Sequence, residues 1–158
     1  MHYITVAQLL LLLSLANGSP VIAKRILGET CATPLDGNTQ FVDGRPLFGP
    51  SKTIRGVVAS LLVTTLGAPV IGLGFGIGLL VATTAMAGDL LSSFVKRRLG
   101  LAPSSRATGL DQVPKSLFPL LACRSVLSLT AIDMCSFFVG ELLLSQLFFW
   151  LHLRDRPY

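Results

Sequence analysis

The sequence predicts an all-α, polytopic integral membrane protein of about five transmembrane helices, with two long polar loops on one side of the membrane. Three observations predict it. The mean hydropathy of +0.68, with 51% of 158 residues hydrophobic, exceeds what a soluble fold of this length sustains. The charged residues, only 13% of the chain, gather in short stretches separated by long apolar runs. Those stretches are mainly basic and flank the apolar runs, as cytoplasmic loops do under the positive-inside rule. The same placement argues against reading the net charge of +5 as a nucleic-acid surface. Neither an RNA-binding aromatic motif nor a zinc-finger spacing accompanies it, so no nucleic-acid partner is expected. A single membrane-embedded domain over residues 1–158 follows.

Residues 1–16 are apolar and leucine-rich and read as an uncleaved first helix. Ser14-x-Ala16 imitates a signal-peptidase site, but no Lys or Arg precedes Lys24 to form the basic start of a signal. Residues 17–53 then read as a long polar loop with a short helix around Val21 to Leu27. Its length implies a function beyond connection. A second span is predicted over residues 54–68, a turn at Gly67-Ala68-Pro69, and a third span over residues 70–95. Gly72, Gly74, Gly76 and Gly78 miss the dinucleotide-binding spacing. The pairs Gly72/Gly76 and Gly74/Gly78 instead read as a close-packing helix face. Residues 96–115 form the second polar loop, and residues 116–130 and 132–153 are again apolar. The segment after Lys115 is short for a crossing and carries Arg124, so a tilted, thin or re-entrant element is expected there. Five spans put the N-terminus outside and both long loops and the C-terminus in the cytoplasm, with every Lys and Arg except Arg124 at the inner side. His2, Trp150, His152 and Tyr158 read as interfacial. Cys31, Cys123 and Cys135 form no C-x-x-C pair and read as free thiols.

Asp89, in Gly88-Asp89-Leu90, lies inside a long apolar helix, where an unpaired carboxylate is costly, so a cation partner is expected. Helical geometry sets Ser92, Ser93 and Lys96 near its face and Arg97 on the flank, with Lys96 about 10 Å nearer the cytoplasm. Two readings compete. In one, carboxylate and cations hold a metal-bound polyphosphate. In the other, Asp89 pairs with Lys96 or a neighbouring helix and Lys96-Arg97-Arg98 anchors the helix at headgroups.

Pro50-Ser51-Lys52-Thr53-Ile54-Arg55-Gly56 is a hydroxyl-rich, doubly basic turn at a span's start, where helix amides favour an anion. It lacks the glycines of a Walker A loop, and it also reads as a plain basic helix start. Asp111, in Leu110-Asp111-Gln112, is the second candidate carboxylate. Two carboxylates, two basic clusters and a membrane boundary suit metal-assisted phosphoryl or nucleotidyl transfer. Glu141, with Ser145 one turn on, reads either as a packing hydrogen bond or as part of a polar cavity.

The ordered set Asn17-Gly18-x-Pro20, Pro34-Leu35-Asp36-Gly37, Asp43-Gly44-Arg45, Pro50 to Gly56, Gly88-Asp89-Leu90, Ser93-x-x-Lys96-Arg97-Arg98-x-Gly100 and Leu110-Asp111-Gln112 resembles the CDP-archaeol synthase family. That family is related to the phosphatidate cytidylyltransferases. The resemblance covers most of the chain and implies a five-helix membrane enzyme. Its implied reaction transfers CMP from CTP to a lipid phosphate, with pyrophosphate released and Mg²⁺ as cofactor. It further implies catalytic roles for Lys52, Asp89 and Asp111. Metal would sit on Asp89 and Asp111, and phosphates on Ser51, Lys52, Thr53, Arg55, Lys96 and Arg97. Asn17, Asp36, Asp43 and Arg45 are further candidates in the first loop. Three departures stand out: Ile54 where aromatic residues are common, Gln112 where the phosphatidate enzymes carry arginine, and no histidine-glycine-glycine element. A CDP-alcohol phosphotransferase would need paired aspartate motifs that are absent. A non-enzymatic transporter or scaffold is the alternative, and would need no phosphate-tuned loops.

Overall fold

A computed structural model describes residues 3–28, 30–101 and 112–150, with side chains through residue 144. Five α-helices make up its regular structure: α1 Tyr3–Leu27, α2 Ile54–Val70, α3 Phe75–Arg98, α4 Val113–Arg124 and α5 Ala131–Trp150. Among the described residues, α1 and α3 are long and apolar enough to cross a membrane, and α2 is a shorter apolar helix. Their outward positions carry large apolar side chains, including Ile4, Leu11, Leu62, Leu66 and Leu79, as does Leu143 on α5. Outward apolar faces around a packed interior are what a lipid solvent asks of a helix bundle.

The first loop begins later than the sequence suggests. Helix α1 continues through Asn17, Gly18 and Pro20 to Leu27, so the expected loop start at Asn17 is corrected to Gly28. Proline has no N–H, so the Ala16 carbonyl, four residues before Pro20, loses its helical donor. The Ser60 hydroxyl on α2 donates to that carbonyl at 2.8 Å, and both residues are fully buried. A neighbouring helix thus completes the broken ladder, which is how proline persists in a membrane helix. Beside it, a Cβ on Gly56 would lie 3.3 Å from the Pro20 ring, so glycine lets α2 close on α1 there.

The second boundary also moves. Helix α2 runs past Gly67, Ala68 and Pro69 to Val70, and the turn is Ile71 to Gly74. Proline in the last turn removes one donor without ending the helix. The stop comes at Gly72, whose φ of +83° suits glycine, and where the Leu73 amide returns to the Ala68 carbonyl at 2.9 Å. From α1, the Gln8 amide donates to the Ile71 carbonyl at 2.6 Å, satisfying part of that helix end.

This shift corrects the four-glycine helix face. Gly72 lies in the turn and Gly74 caps α3, while a Cβ on Gly76 would meet open space. Gly78 alone makes the expected close contact, with the Thr64 carbonyl and the Ala68 side chain on α2. Other small residues do the same elsewhere: Gly67 against Leu15, and Gly140 against Leu10.

Helix α4 has 12 residues, about 18 Å, and cannot cross a hydrocarbon layer of roughly 30 Å alone. The predicted segment 116–130 is therefore corrected to Val113–Arg124. It is short because it starts deep. The backbone of Pro114 and Lys115 lies against Gly88, where any Cβ would collide. Gly88 sits ten residues, about 15 Å, below the last residue of α3. From that level α4 runs beside α3, with Leu120 and Cys123 joining Val81 and Ala85 in the core. Helix α5 opens with a reciprocal cap, since the Thr130 amide donates to Asp133 at 3.0 Å and the Asp133 amide to the Thr130 hydroxyl at 3.3 Å. The three cysteines are free, with Cys123 buried.

Lys24, Arg25, Arg45, Lys52, Arg55, Lys96, Arg97, Arg98 and Lys115 all belong to the end where α1 and α3 finish and α2 begins. Arg124 stands at the far turn, as the sequence suggested.

The Ser60 hydrogen bond matters only because Pro20 orphans the Ala16 carbonyl. Ser60→Ala should lower stability by about 1–2 kcal/mol, and the penalty should shrink once Pro20→Ala restores the N–H. Thermal unfolding of the four proteins of this cycle in detergent checks it, and additive effects would refute the repair.

Candidate active site

At the basic end, residues 33–35 pair antiparallel with residues 52–54. The Leu35 amide donates to the Lys52 carbonyl at 2.7 Å, and the Ile54 amide to the Thr33 carbonyl at 3.1 Å. This pairing fixes the Lys52 backbone at the mouth of α2. Thr53 is the N-cap, extended at φ −116° and ψ 149°, and its hydroxyl accepts the Gly56 amide at 3.3 Å. The expected helix start is therefore present, with Thr53 engaged in capping it.

Lys52 reaches inward to Asp89. Its ammonium pairs with Oδ2 of that carboxylate, while Lys115 Nζ lies 2.5 Å from Oδ1. Three chain segments thus meet at one carboxylate: the start of α2, the middle of α3 and the start of α4. The carboxylate is 13% exposed and each lysine side chain 21%. Burial pushes the Lys52 ammonium below its ordinary range, as do Lys115 and Lys96, while Asp89 holds it up. One carboxylate facing two ammonium groups leaves a net positive charge at the cluster.

Ser92 and Ser93 turn their hydroxyls back on their own helix, to the carbonyls of Gly88 at 2.8 Å and Asp89 at 2.9 Å. Lys96 and Arg97 lie buried in the last turn of α3, at 8% and 5% exposure. The first loop covers Arg97. Gly49, at φ +88°, would place a Cβ 3.8 Å from the Arg97 side chain. Lys96 is not the partner the structure gives Asp89, which takes its cations from other elements. Arg55 points elsewhere, its guanidinium donating to the Thr30 carbonyl at 2.5 Å. Ser51 is exposed in the turn before Lys52. Asn17 lies within α1, outside the loop in which the sequence set it. Asp111 lies outside the described residues.

Asp36 and Asp43 organise the loop. Asp36 Oδ2 accepts the amides of Phe48 at 2.9 Å and Gly49 at 3.0 Å, and Oδ1 accepts that of Asn38 at 3.1 Å. Its partial burial acts to raise the pKa, but these amides favour the charged form and leave it below its ordinary value. The stabilisation is therefore present above the ordinary carboxylate range and is lost as pH falls through the lowered folded value. Asp43 accepts the Arg45 amide at 3.1 Å and pairs with the Arg98 guanidinium. Arg98 stacks 4.7 Å from the Phe41 ring centroid and 5.0 Å from that of Phe94, and donates to the Pro46 carbonyl at 2.6 Å. Arg45 in turn donates to the Arg98 carbonyl at 2.7 Å, capping α3. These contacts clamp the loop onto the end of α3.

Sequence reasoning missed Lys115 as Asp89's partner, because nothing in the chain places α4 at the depth of Gly88. It also treated Arg98 as a membrane anchor, when the side chain closes the clamp. Glu141 accepts from Ser116 on α4, which makes it a packing hydrogen bond between α4 and α5.

A helical membrane bundle in which two lysines converge on one buried carboxylate, with a polar loop clamped onto the helix end beside it, defines an intramembrane protein with a charged cluster at one end. The CarS-like CDP-archaeol synthase family model matches residues 3–153, and the chain belongs to that family. It is 44% identical over 107 residues to a CDP-archaeol synthase of Pyrococcus furiosus, a stretch covering 61% of this chain and 60% of the relative. It is 38% identical over 104 residues to one from Hyperthermus butylicus, covering 62% and 59%. The chain thus spans about three fifths of the length of these curated relatives. A solved intramembrane enzyme of archaeal membrane lipid biosynthesis superposes with a TM-score of 0.73 at 31% identity, covering 87% of both chains. The chain is accordingly a membrane protein.

Asp36 should be the residue on which the loop's order rests. Asp36→Ala is expected to increase limited proteolysis between Gly28 and Pro50 several-fold while leaving the helices intact by circular dichroism. Unchanged cleavage would show that the clamp on α3 suffices alone.

Proposed function

We propose that this protein is a CTP-dependent cytidylyltransferase that moves CMP onto the phosphate of a membrane lipid, archaetidic or phosphatidic acid-like, and releases pyrophosphate. The single observation that carries this reading is the Asp89 cluster. A structural ion pair needs one cation per carboxylate, whereas here two ammonium groups share one. Such a surplus suits a polyanion, and the family and the intramembrane relative make that polyanion a nucleotide meeting a lipid phosphate.

In the proposed reaction a lipid phosphate oxygen attacks the α-phosphorus of CTP. The bond from that phosphorus to the bridging oxygen breaks, and pyrophosphate carries away the electron pair. No protein nucleophile is required. Lys52 holds phosphate oxygens at the mouth of α2, and Lys96 and Arg97 do so from α3. Ser51 lies exposed beside Lys52 and Arg55 is held by the Thr30 carbonyl, while Thr53 fixes the helix start whose amides face the anion. Asp89 is a hard oxygen donor of the kind Mg²⁺ takes, with Asp111 as the second carboxylate, and the ion would displace the lysine ammonium groups that hold both Asp89 oxygens, arriving with the phosphates. When bound, that ion neutralises charge developing on the phosphates. The loop clamp keeps water and competing nucleophiles from the α-phosphorus. The basic end faces the cytoplasm, where CTP is found, and the N-terminus faces outside.

The test is to incubate purified protein with CTP, Mg²⁺ and a panel of lipid phosphates, and to read CDP-lipid by mass spectrometry. Asp89→Asn, Asp111→Asn and Lys52→Ala should each insert normally and lose turnover by roughly 10² to 10³. Lack of any CDP-lipid from the unmodified protein refutes the activity and returns the scaffold reading. Near-normal turnover of one variant removes that residue from the site.

A further inference from the structure

We propose that Lys115 is a phosphate ligand of this site, delivered by α4 and held on Asp89 until a phosphate-bearing substrate enters. The inference rests on the cytidylyltransferase reading and adds a residue and a helix to it. Its ligand chemistry is the phosphoryl oxygen, whether of CTP or of the lipid phosphate.

The position of Lys115 is fixed from two sides. On one, Gly88 lets the backbone of Pro114 and Lys115 press directly onto α3, one residue from Asp89. On the other, the fully buried Ser116 bonds to the Gln112 carbonyl at 3.0 Å and to the Glu141 carboxylate on α5. Two neighbouring helices therefore hold the backbone from which the Lys115 side chain projects.

Charge then separates a ligand from a packing lysine. An ammonium at this depth is costly unless something neutralises it. Asp89 neutralises one of its two lysines. Among the described residues no second carboxylate pairs with either ammonium, so an arriving anion can take up the second one.

Access permits one. The Lys115 side chain is 21% exposed, the same as Lys52, so both lysines keep contact with solvent while holding one carboxylate. A four-carbon stem lets Nζ move from Asp89 to a phosphate oxygen without moving α4. Lys115 also lies in the first turn of α4, the positive end of that helix's dipole.

The experiment measures equilibrium binding of labelled CTP, and KM for CTP and for lipid phosphate separately, on the full chain in nanodiscs. Lys115→Gln should weaken one substrate by roughly tenfold or more, and Lys115→Arg should restore most of that loss. Whichever substrate responds identifies the phosphate. In parallel, amine-reactive labelling of Lys115 in the unmodified protein should slow several-fold with that substrate, a readout that needs no variant to fold. Unmodified protein that binds CTP while Lys115→Gln behaves normally and labelling is unprotected overturns this inference alone. Unmodified protein that binds neither substrate overturns the underlying function as well.

Discussion

The arrangement turns on a single constraint, that a carboxylate inside an apolar helix must be neutralised. Asp89 meets it with ammonium groups from outside its own helix. That requirement ties the chain together, because it brings the residue before α2 and the first turn of α4 to one level of α3. Gly88 makes the approach sterically possible, and the antiparallel pairing of residues 33–35 with 52–54 fixes where Lys52 enters. Charge neutralisation and backbone packing are therefore one design. An electrostatic demand sets the depth at which α4 begins, and that depth sets its length.

The same economy governs the neutral polar groups. An apolar surround offers no water to complete a broken hydrogen-bond ladder, so each irregularity needs a partner from the protein. Ser60 completes the ladder that Pro20 breaks, and Gln8 reaches the end of α2. Small residues bring the helices close enough for these short bonds, as Gly56 does against Pro20. Such repairs hold a rigid frame under the pocket.

How much of this could be read from residues alone divides along local and non-local lines. Apolar runs announced α1, α2 and α3, and the cost of a buried charge announced that Asp89 has a cation partner. The Thr53 cap and basic turn before α2 were also legible, since capping is a local matter. Breakers misled. Asn17-Gly18-x-Pro20 and Gly67-Ala68-Pro69 look like turns by composition, yet both lie in helices, because neighbours restore what proline removes or because proline falls in the last turn. The identity of the Asp89 partners was not legible, since it depends on a contact between Gly88 and Pro114 that no periodicity encodes. The clamp was hidden for the same reason: Asp43, Arg45, Phe41 and Arg98 join residues more than fifty positions apart in sequence.

The clamp and the pocket are coupled through the last turns of α3. Arg45 caps the carbonyl of Arg98 and also reaches that of Arg97 at 3.3 Å, so the loop holds the very turn that carries Lys96 and Arg97. Gly49 of the same loop lies over the Arg97 side chain, and Asp36 fixes Gly49 through its amide. A chain of short contacts therefore runs from Asp36 through Gly49 to Arg97, with Asp89 two turns below. Along α3 the order of charge is a carboxylate deep in the helix and cations nearer its end, so the loop that holds the last turn also holds the spacing between them.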